Sequence, residues 1–195
     1  KRIERRKVSG KKLRFSYRML VHNLLPHNDK YIMVGEAFYP KYQSTSIGAI
    51  AYRSYDRAFL EGYKYTHAVV IGFDANGDLV MDNSFEIKDV LSRELKQFVY
   101  ADNSNEGIAL LYTVDQEIRT KYIQESRMLD EKSTEPIALR FSNDQLIESD
   151  EKRAGFEKWF GDNYYAYGVQ KIKNLRDTQV AMNRKVFYLN KITYN

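Results

Sequence analysis

Hydrophobic and polar positions alternate most regularly along residues 63–73, which predicts a β-strand with one apolar face. The turn sequence DANG follows at residues 74–77, and a second alternating run, LVMDNSFE, comes after it. Two such runs on either side of a turn predict a β-hairpin. An Asp in the first position and a Gly in the last favour a type I turn with a left-handed glycine, which makes a three-residue bulged connection.

The register of this hairpin decides which side chains meet. The bulged connection pairs Phe73 with Leu79 and sets Val69 opposite Asn83, which collects the apolar side chains on one face. In that register His67 lies diagonal to Asn83 on the same face, within reach of a longer side chain. The hairpin is therefore predicted to present an imidazole and a carboxamide side by side.

The rest of the chain mixes helix-like and strand-like patterns. Apolar residues at helical spacing, together with capping residues, predict helices over residues 47–63, 89–100, 114–129 and 142–160. Strands are predicted over residues 107–114, 137–141 and 184–194, and residues 13–25 form either a helix or a strand. This mixture predicts an α+β fold, with an antiparallel sheet and packed helices.

Charge is distributed unevenly along the 195 residues, whose net charge is +5. Residues 1–14 hold eight Lys or Arg and one Glu, and residues 168–195 hold six Lys or Arg and one Asp, which leaves an acidic middle. Basic ends on an acidic body predict contact with an anionic partner, either nucleic acid or an acidic protein face. We therefore predict a basic arm over residues 1–14 and a single α+β domain over residues 15–195. The candidate anion-binding residues of the arm are Arg2, Arg5, Arg6, Lys7, Lys11 and Lys12.

Cysteine is absent from the chain, which excludes disulfides, thiolate catalysis and cysteine-ligated metals. His22 and His27 have only Asp29 nearby, so a metal site is not predicted. No glycine-rich phosphate loop follows a strand, and we expect no cofactor. No window has the roughly 18 apolar residues that a membrane span needs. We expect a cytoplasmic or particle-internal protein that contacts no membrane and is compatible with an oligomeric state.

The hairpin and the segment before it resemble papain-like cysteine peptidases. HAVVIGF starts at His67 and NSF starts at Asn83, in the order in which that family places its catalytic histidine and orienting asparagine. Upstream, QSTSIGAIAY is similar to the family's nucleophile segment. Gln43 matches the oxyanion glutamine there, and Ala49 stands at the cysteine position. The resemblance implies a papain-like core whose histidine has no thiol to activate.

A second resemblance, to transglutaminase-like bacterial proteinases, makes Asp82 the third catalytic member instead of Asn83. Both resemblances are confined to residues 43–86. Because Ala49 cannot attack a carbonyl group, we predict a non-catalytic interaction or assembly module with a degenerate His/Asn hairpin. One alternative is a cysteine hydrolase whose nucleophile has been replaced by Ala49.

Two further alternatives involve nucleic acid. Glu86-Ile87-Lys88, preceded by several aspartates, is similar to the acid-x-lysine pattern of magnesium-dependent nucleases. Residues 159–171 are rich in aromatics and end in a lysine, and such residues can stack on bases, although they more often cap a core or form a protein interface. The chain is thus alternatively a divergent nuclease or a nucleic-acid-binding protein.

Overall fold

A computed structural model describes residues 17–45, 57–88, 90–103, 107–114, 116–124 and 130–193. Thirteen strands lie in these ranges, and none of the ranges contains a helix. The strands are β1 (Arg18–Val21), β2 (Leu25–His27), β3 (Lys30–Thr45), β4 (Arg57–Phe73), β5 (Leu79–Glu86), β6 (Leu91–Ser92), β7 (Tyr100–Asn103), β8 (Gly107–Val114), β9 (Glu117–Gln124), β10 (Asp130–Pro136), β11 (Asp144–Lys158), β12 (Asn163–Asn174) and β13 (Asn183–Thr193).

The α+β prediction is wrong, because the described parts of every predicted helix are strands or irregular segments. The predicted helix over residues 114–129 contains β9, in which Ile118 and Tyr122 are both buried. Residues four apart lie on one face of a helix, and they also lie on one face of a strand, because their separation is even. Thr120, which lies between them, is buried on the same side. The predicted strands over residues 107–114 and 184–193 and the predicted hairpin are confirmed, whereas residues 137–141 are not a strand.

The strands form three antiparallel sheets. The first sheet has the order β1-β3-β4-β5, with β2 also paired to β3 and β6 to β4. The second sheet has the order β10-β9-β8-β7, and the third has the order β11-β12-β13. Neighbouring strands are antiparallel in every described pair, as the antiparallel part of the fold prediction expected.

The second sheet lies between the other two. On β8, Ile108 and Leu110 belong to a core with residues of the first sheet such as Val34. The alternate residues of β8, including Leu111, pack in a separate core with Tyr164 of the third sheet. Burial of both faces explains why β8 is a continuous apolar run rather than an alternating one.

A buried ion pair holds one end of the third sheet. The fully buried carboxylate of Asp144, at the start of β11, accepts two hydrogen bonds of 2.6 Å from Arg184 of β13 and one of 2.9 Å from Asn174 of β12. Burial alone would raise the pKa of Asp144, but these hydrogen bonds outweigh it and hold that pKa below its ordinary value. Asp144 therefore ties all three strands together at one point.

Candidate functional site

The turn of the predicted hairpin is confirmed. The amide of Asp74 donates to the carbonyl oxygen of Asp78 at 3.0 Å, and Gly77 has a φ of 87°, as a left-handed turn glycine requires. The side chain of Asp74 accepts hydrogen bonds from turn amides, first from that of Asp78 at 2.8 Å, and these bonds lower its pKa. The sequence DANG thus specifies this connection locally.

The register beyond the turn differs from the prediction because β5 contains a β-bulge. Phe73 pairs with Leu79 as predicted, but the next residue of β4, Gly72, pairs with Met81. Val80 is therefore an extra residue without a partner on β4, and every later pair shifts by one position. A one-residue shift moves each following side chain of β5 to the opposite face of the sheet.

The predicted juxtaposition of His67 and Asn83 is therefore wrong. His67 pairs with Glu86, whereas Asn83 pairs with Val70. Because directly opposite residues share a face and neighbours along a strand alternate, His67 lies on one face of the first sheet and Asn83 on the other. The structure does not bring the two groups together.

Each of the two groups has structural partners of its own. The Nδ1 atom of His67 lies 2.9 Å from the hydroxyl of Thr66, and the ring of Tyr17 meets the imidazole edge-on at 5.9 Å between centroids. The Oδ1 atom of Asn83 accepts a hydrogen bond of 2.6 Å from the buried ammonium of Lys121, which crosses from the second sheet. Asn83 thus links two layers and does not orient an imidazole.

Gln43, the other described residue of the papain-like prediction, does not lie near His67. His67 pairs with Ala37 on β3, but Gln43 pairs with Phe59, so Gln43 lies about 20 Å farther along that strand. The side chain of Gln43 is exposed. Ala49 lies outside the described residues, as do the candidate anion-binding residues Arg2, Arg5, Arg6, Lys7, Lys11 and Lys12.

The nuclease pattern lies beside a polar cavity of about 390 Å³. Glu86 and Lys88 line it together with Glu117 and Arg119. Arg119 is held by the carboxylate of Glu117 at 2.7 Å, a hydrogen bond that raises the pKa of the guanidinium. Within the described ranges no group of three or more His, Asp or Glu side chains is placed to hold a metal ion.

The exposed side of β12 and β13 carries a different set of functional groups. Opposite pairs such as Tyr167–Leu189 and Val169–Phe187 point away from the second sheet, whereas Tyr164 packs against it. Burial alternates along both strands in agreement with this orientation. We call this side the open face, and it consists of Tyr165, Tyr167, Val169, Lys171, Lys173, Lys185, Phe187, Leu189 and Lys191.

The apolar part of the open face is unusually accessible. Phe187 is 65% exposed and Leu189 is 62% exposed. Tyr165 and Tyr167, neighbours on β12, have their ring centroids 6.0 Å apart. By contrast Tyr188, which points inward from β13, packs against the second core, and burial raises its pKa. The open face therefore presents Phe187 and Leu189 largely exposed, with the half-buried Tyr165 and Tyr167 beside them.

The ammonium groups of the open-face lysines are not neutralised by carboxylates of the described residues. Lys171 and Lys185 are directly opposite one another, and Lys173 lies next to Lys171 on the same face. Lys191 lies at the other end of the strand pair, opposite Tyr165. None of the four forms an ion pair with another residue of the described ranges. The ammonium of Lys191 lies 5.9 Å from the ring centroid of Phe160, at the tip of the β11–β12 hairpin.

A cleft of about 620 Å³ adjoins the basic end of the open face. Its first wall is formed by the third sheet, and its second wall by residues 91–96 except Leu95. The third sheet contributes Val169, Lys171 and Lys185 together with Glu148, Ser149 and Asp150 of β11. Arg93 and Lys96 add positive charge to the second wall.

Lys96, in the second wall of the cleft, is held in place by a residue of the first sheet. The buried hydroxyl of Tyr65 donates to the carbonyl oxygen of Lys96 at 2.6 Å and accepts from its amide at 3.2 Å. Burial raises the pKa of Tyr65. The position of Lys96 at the cleft is therefore set by the core of the first sheet.

The sequence singled out the aromatic residues 159–171 but did not predict β12, so these residues were not placed on one face with those of β13. The predicted basic C-terminal end is not a separate tail, since its lysines lie on β12 and β13. The odd-numbered spacing of Lys185, Phe187, Leu189 and Lys191 was a usable signal, because alternation places these residues on one face.

Comparisons with protein-family models, with curated proteins and with solved structures find no match for this chain. The described residues contain no helix long and apolar enough to cross a membrane. Function is therefore inferred from the side chains of the open face and the cleft.

Proposed function

We propose that the protein is a non-catalytic interaction module that binds an extended anionic partner along its open face. The observation that supports this most directly is the combination of the exposed Phe187 and Leu189 with four lysines that have no ion-pair partner among the described residues. Exposed apolar patches on a folded protein are typical of binding surfaces. Lysines beside such a patch favour a partner that carries negative charge.

The shape of the surface favours an extended partner. The open face runs along two paired strands of 12 and 11 residues, and its lysines occur at both ends of the strand pair. A compact anion would contact one or two of these ammonium groups, whereas a polymer can contact all of them. The basic arm at residues 1–14 is expected to strengthen the same attraction. Its role, and the cytoplasmic or particle-internal location, stay predictions.

Inorganic polyphosphate, which is an anionic polymer without rings, tests the proposal. A variant in which Lys171, Lys173, Lys185 and Lys191 are replaced by Gln should lose most of the affinity measured by isothermal titration calorimetry in low salt. The affinity of the parent protein should fall steeply as salt is added, because released counterions drive such binding.

The matched control replaces Lys30, Lys41, Lys64 and Lys88 by Gln. These lysines lie off the open face, and the variant carries the same change of net charge. If both variants lose affinity equally, the binding reflects overall charge and the assignment to the open face is wrong. If the parent protein does not bind polyphosphate at all, the proposed function fails.

A further inference from the structure

We infer that the anionic partner is a single-stranded nucleic acid, whose bases stack on the rings of the open face while lysines hold its phosphates. This inference rests on the proposed function and adds the chemical class of the partner. It is carried by Phe187, which is 65% exposed, and by the partly exposed Tyr165 and Tyr167, since polyanions without rings make no use of accessible aromatic side chains. Aromatic platforms inside a positively charged groove are the general means of binding single strands.

The distance between the two tyrosine rings fits bases that are not stacked on one another. The centroids of Tyr165 and Tyr167 are 6.0 Å apart, with an angle of 42° between the ring planes. Successive nucleotides along one strand of duplex DNA are only about 3.4 Å apart, and their faces are covered by their neighbours. A single strand can unstack and offer one base face to each ring.

Charge along the open face is arranged to hold phosphates beside those rings. Lys171 and Lys185 lie beside the aromatic residues of the open face, at the end of the strand pair that adjoins the cleft. Arg93 and Lys96 line the same cleft. The acidic residues at this cleft, Glu94, Glu148 and Asp150, lie on residues 91–96 and on β11. On β11, Glu148 is directly opposite Lys171 and Asp150 is directly opposite Val169, so acidic side chains border the β11 side of this face. A polyanion is therefore repelled least along the β13 side.

The β11–β12 hairpin extends the platform at its other end. Trp159 is 60% exposed, and its ring meets that of Phe160 at 5.1 Å between centroids. The hairpin is closed by the amide of Trp159, which donates to the carbonyl oxygen of Asn163 at 2.9 Å. Lys191 joins the two parts, because it lies over the ring of Phe160 and is opposite Tyr165. A bound strand can thus pass from the hairpin tip, across the tyrosines, into the cleft.

Fluorescence anisotropy with a labelled oligothymidylate tests this inference. The same measurement is made with an abasic oligomer of equal length and with a duplex. We expect the oligothymidylate to bind more tightly than either. Phe187→Ala and Tyr167→Ala should each weaken binding of the oligothymidylate about fivefold or more, the lower end of the effect of losing one base–aromatic stack.

The matched control is Phe59→Ala, since Phe59 is 55% exposed on β4 and lies off the open face. It should leave the affinity for the oligothymidylate unchanged. Replacing Lys171 and Lys185 by Gln should reduce the slope of log K against log salt by about 1.4, because each phosphate of a single strand that a lysine neutralises contributes about 0.7 to that slope.

Each other outcome overturns the inference in a recognisable way. Equal affinity for the abasic oligomer, with no effect of Phe187→Ala, would mean that the rings do not stack on bases, while polyphosphate binding would still support the proposed function. Tighter binding of the duplex would exclude a single strand as the preferred partner. A concentration-dependent dimer abolished by Phe187→Ala, without oligonucleotide binding, would assign the open face to a second copy of the chain. Failure to bind any polyanion would refute both proposals.

Discussion

The buried carboxylate of Glu36 is predicted to control both the stability of the fold and the shape of the cleft. Glu36 lies on β3 and is fully buried. Its Oε1 atom lies 2.7 Å from Nε2 of His22 and accepts hydrogen bonds of 3.0 Å from the amides of Phe98 and Val99. Because Phe98 follows Lys96, which lines the cleft, by two residues, this one side chain connects the core of the first sheet to the candidate site.

The size of the effect follows from these contacts. A hydrogen bond to a charged acceptor contributes about 1.5–3 kcal/mol, but three donors on one carboxylate are not additive. Removing the carboxylate leaves an imidazole and two amides buried without an acceptor; each such group costs about 1–3 kcal/mol, and together about 3–5 kcal/mol because the effects are not additive. We expect that loss for Glu36→Ala, and about 1–2 kcal/mol for Glu36→Gln, which keeps an acceptor oxygen for the amides.

Urea unfolding measures the loss, and amide hydrogen exchange locates it. Exchange at Phe98 and Val99 should accelerate in Glu36→Gln before the rest of the first sheet is affected. The control is Glu61→Ala, which removes an exposed ion pair of 2.9 Å between Lys41 and Glu61 on β3 and β4 and should cost less than about 1 kcal/mol. A Glu36→Ala variant no less stable than Glu61→Ala would refute the reasoning.

Three further predictions concern the register, the third sheet and the central strands. Deleting Val80 removes the β-bulge and should be tolerated, because every later residue of β5 keeps its partner on β4. Deleting Val80 and Met81 together shifts those partners by one position, turns the buried aromatic side chain of Phe85 outward and should cost about 2–4 kcal/mol in urea unfolding; equal losses would contradict the register. The pKa of Asp144 is lowered on folding, so its ion pair stabilises the fold above the unfolded-state pKa and is lost as pH falls through the folded-state pKa. Asp144→Asn should flatten the acid limb of the stability curve, and an unchanged limb would count against the pair. In Gly107→Ala the new Cβ would overlap the carbonyl oxygen of Ile123, so we expect a loss of about 1–3 kcal/mol in guanidinium unfolding, and a neutral result would show that the backbone can shift freely.

The hairpin shows what local sequence can and cannot specify. DANG carries enough turn chemistry to predict the connection between Phe73 and Leu79, and that part is confirmed. Nothing in the sequence around Val80 distinguishes an extra residue from an ordinary exposed strand position. The bulge is set by the buried surface of the second sheet, which accepts Asn83 and Phe85 on the inner side of β5. Tertiary packing therefore decided the register, and the predicted catalytic geometry depended on that register.

The overprediction of helices has a related cause. Residues 144–158 begin with residues suited to an N-cap, and their charged and apolar positions fit a helical period as well as a strand period. In the structure the segment is β11, which pairs with β12 and changes register between Asp150 and Gly155. The interrupted register hides the alternation from a simple reading of the sequence. Where alternation is unbroken, as in residues 184–193, the strand could be predicted.

Because the second sheet packs against both of the others, we expect the stabilities of the two outer sheets to be coupled. Unfolding of either outer sheet would expose one complete face of β8 to water. We therefore expect the two outer sheets to unfold together. A ligand that occupies only the third sheet would consequently protect the distant first sheet as well, by about 2.7 kcal/mol at a concentration one hundred times its dissociation constant. The same arrangement means that the third sheet, on which we propose that the partner binds, is not expected to fold as a minimal fragment and should be studied within the whole chain.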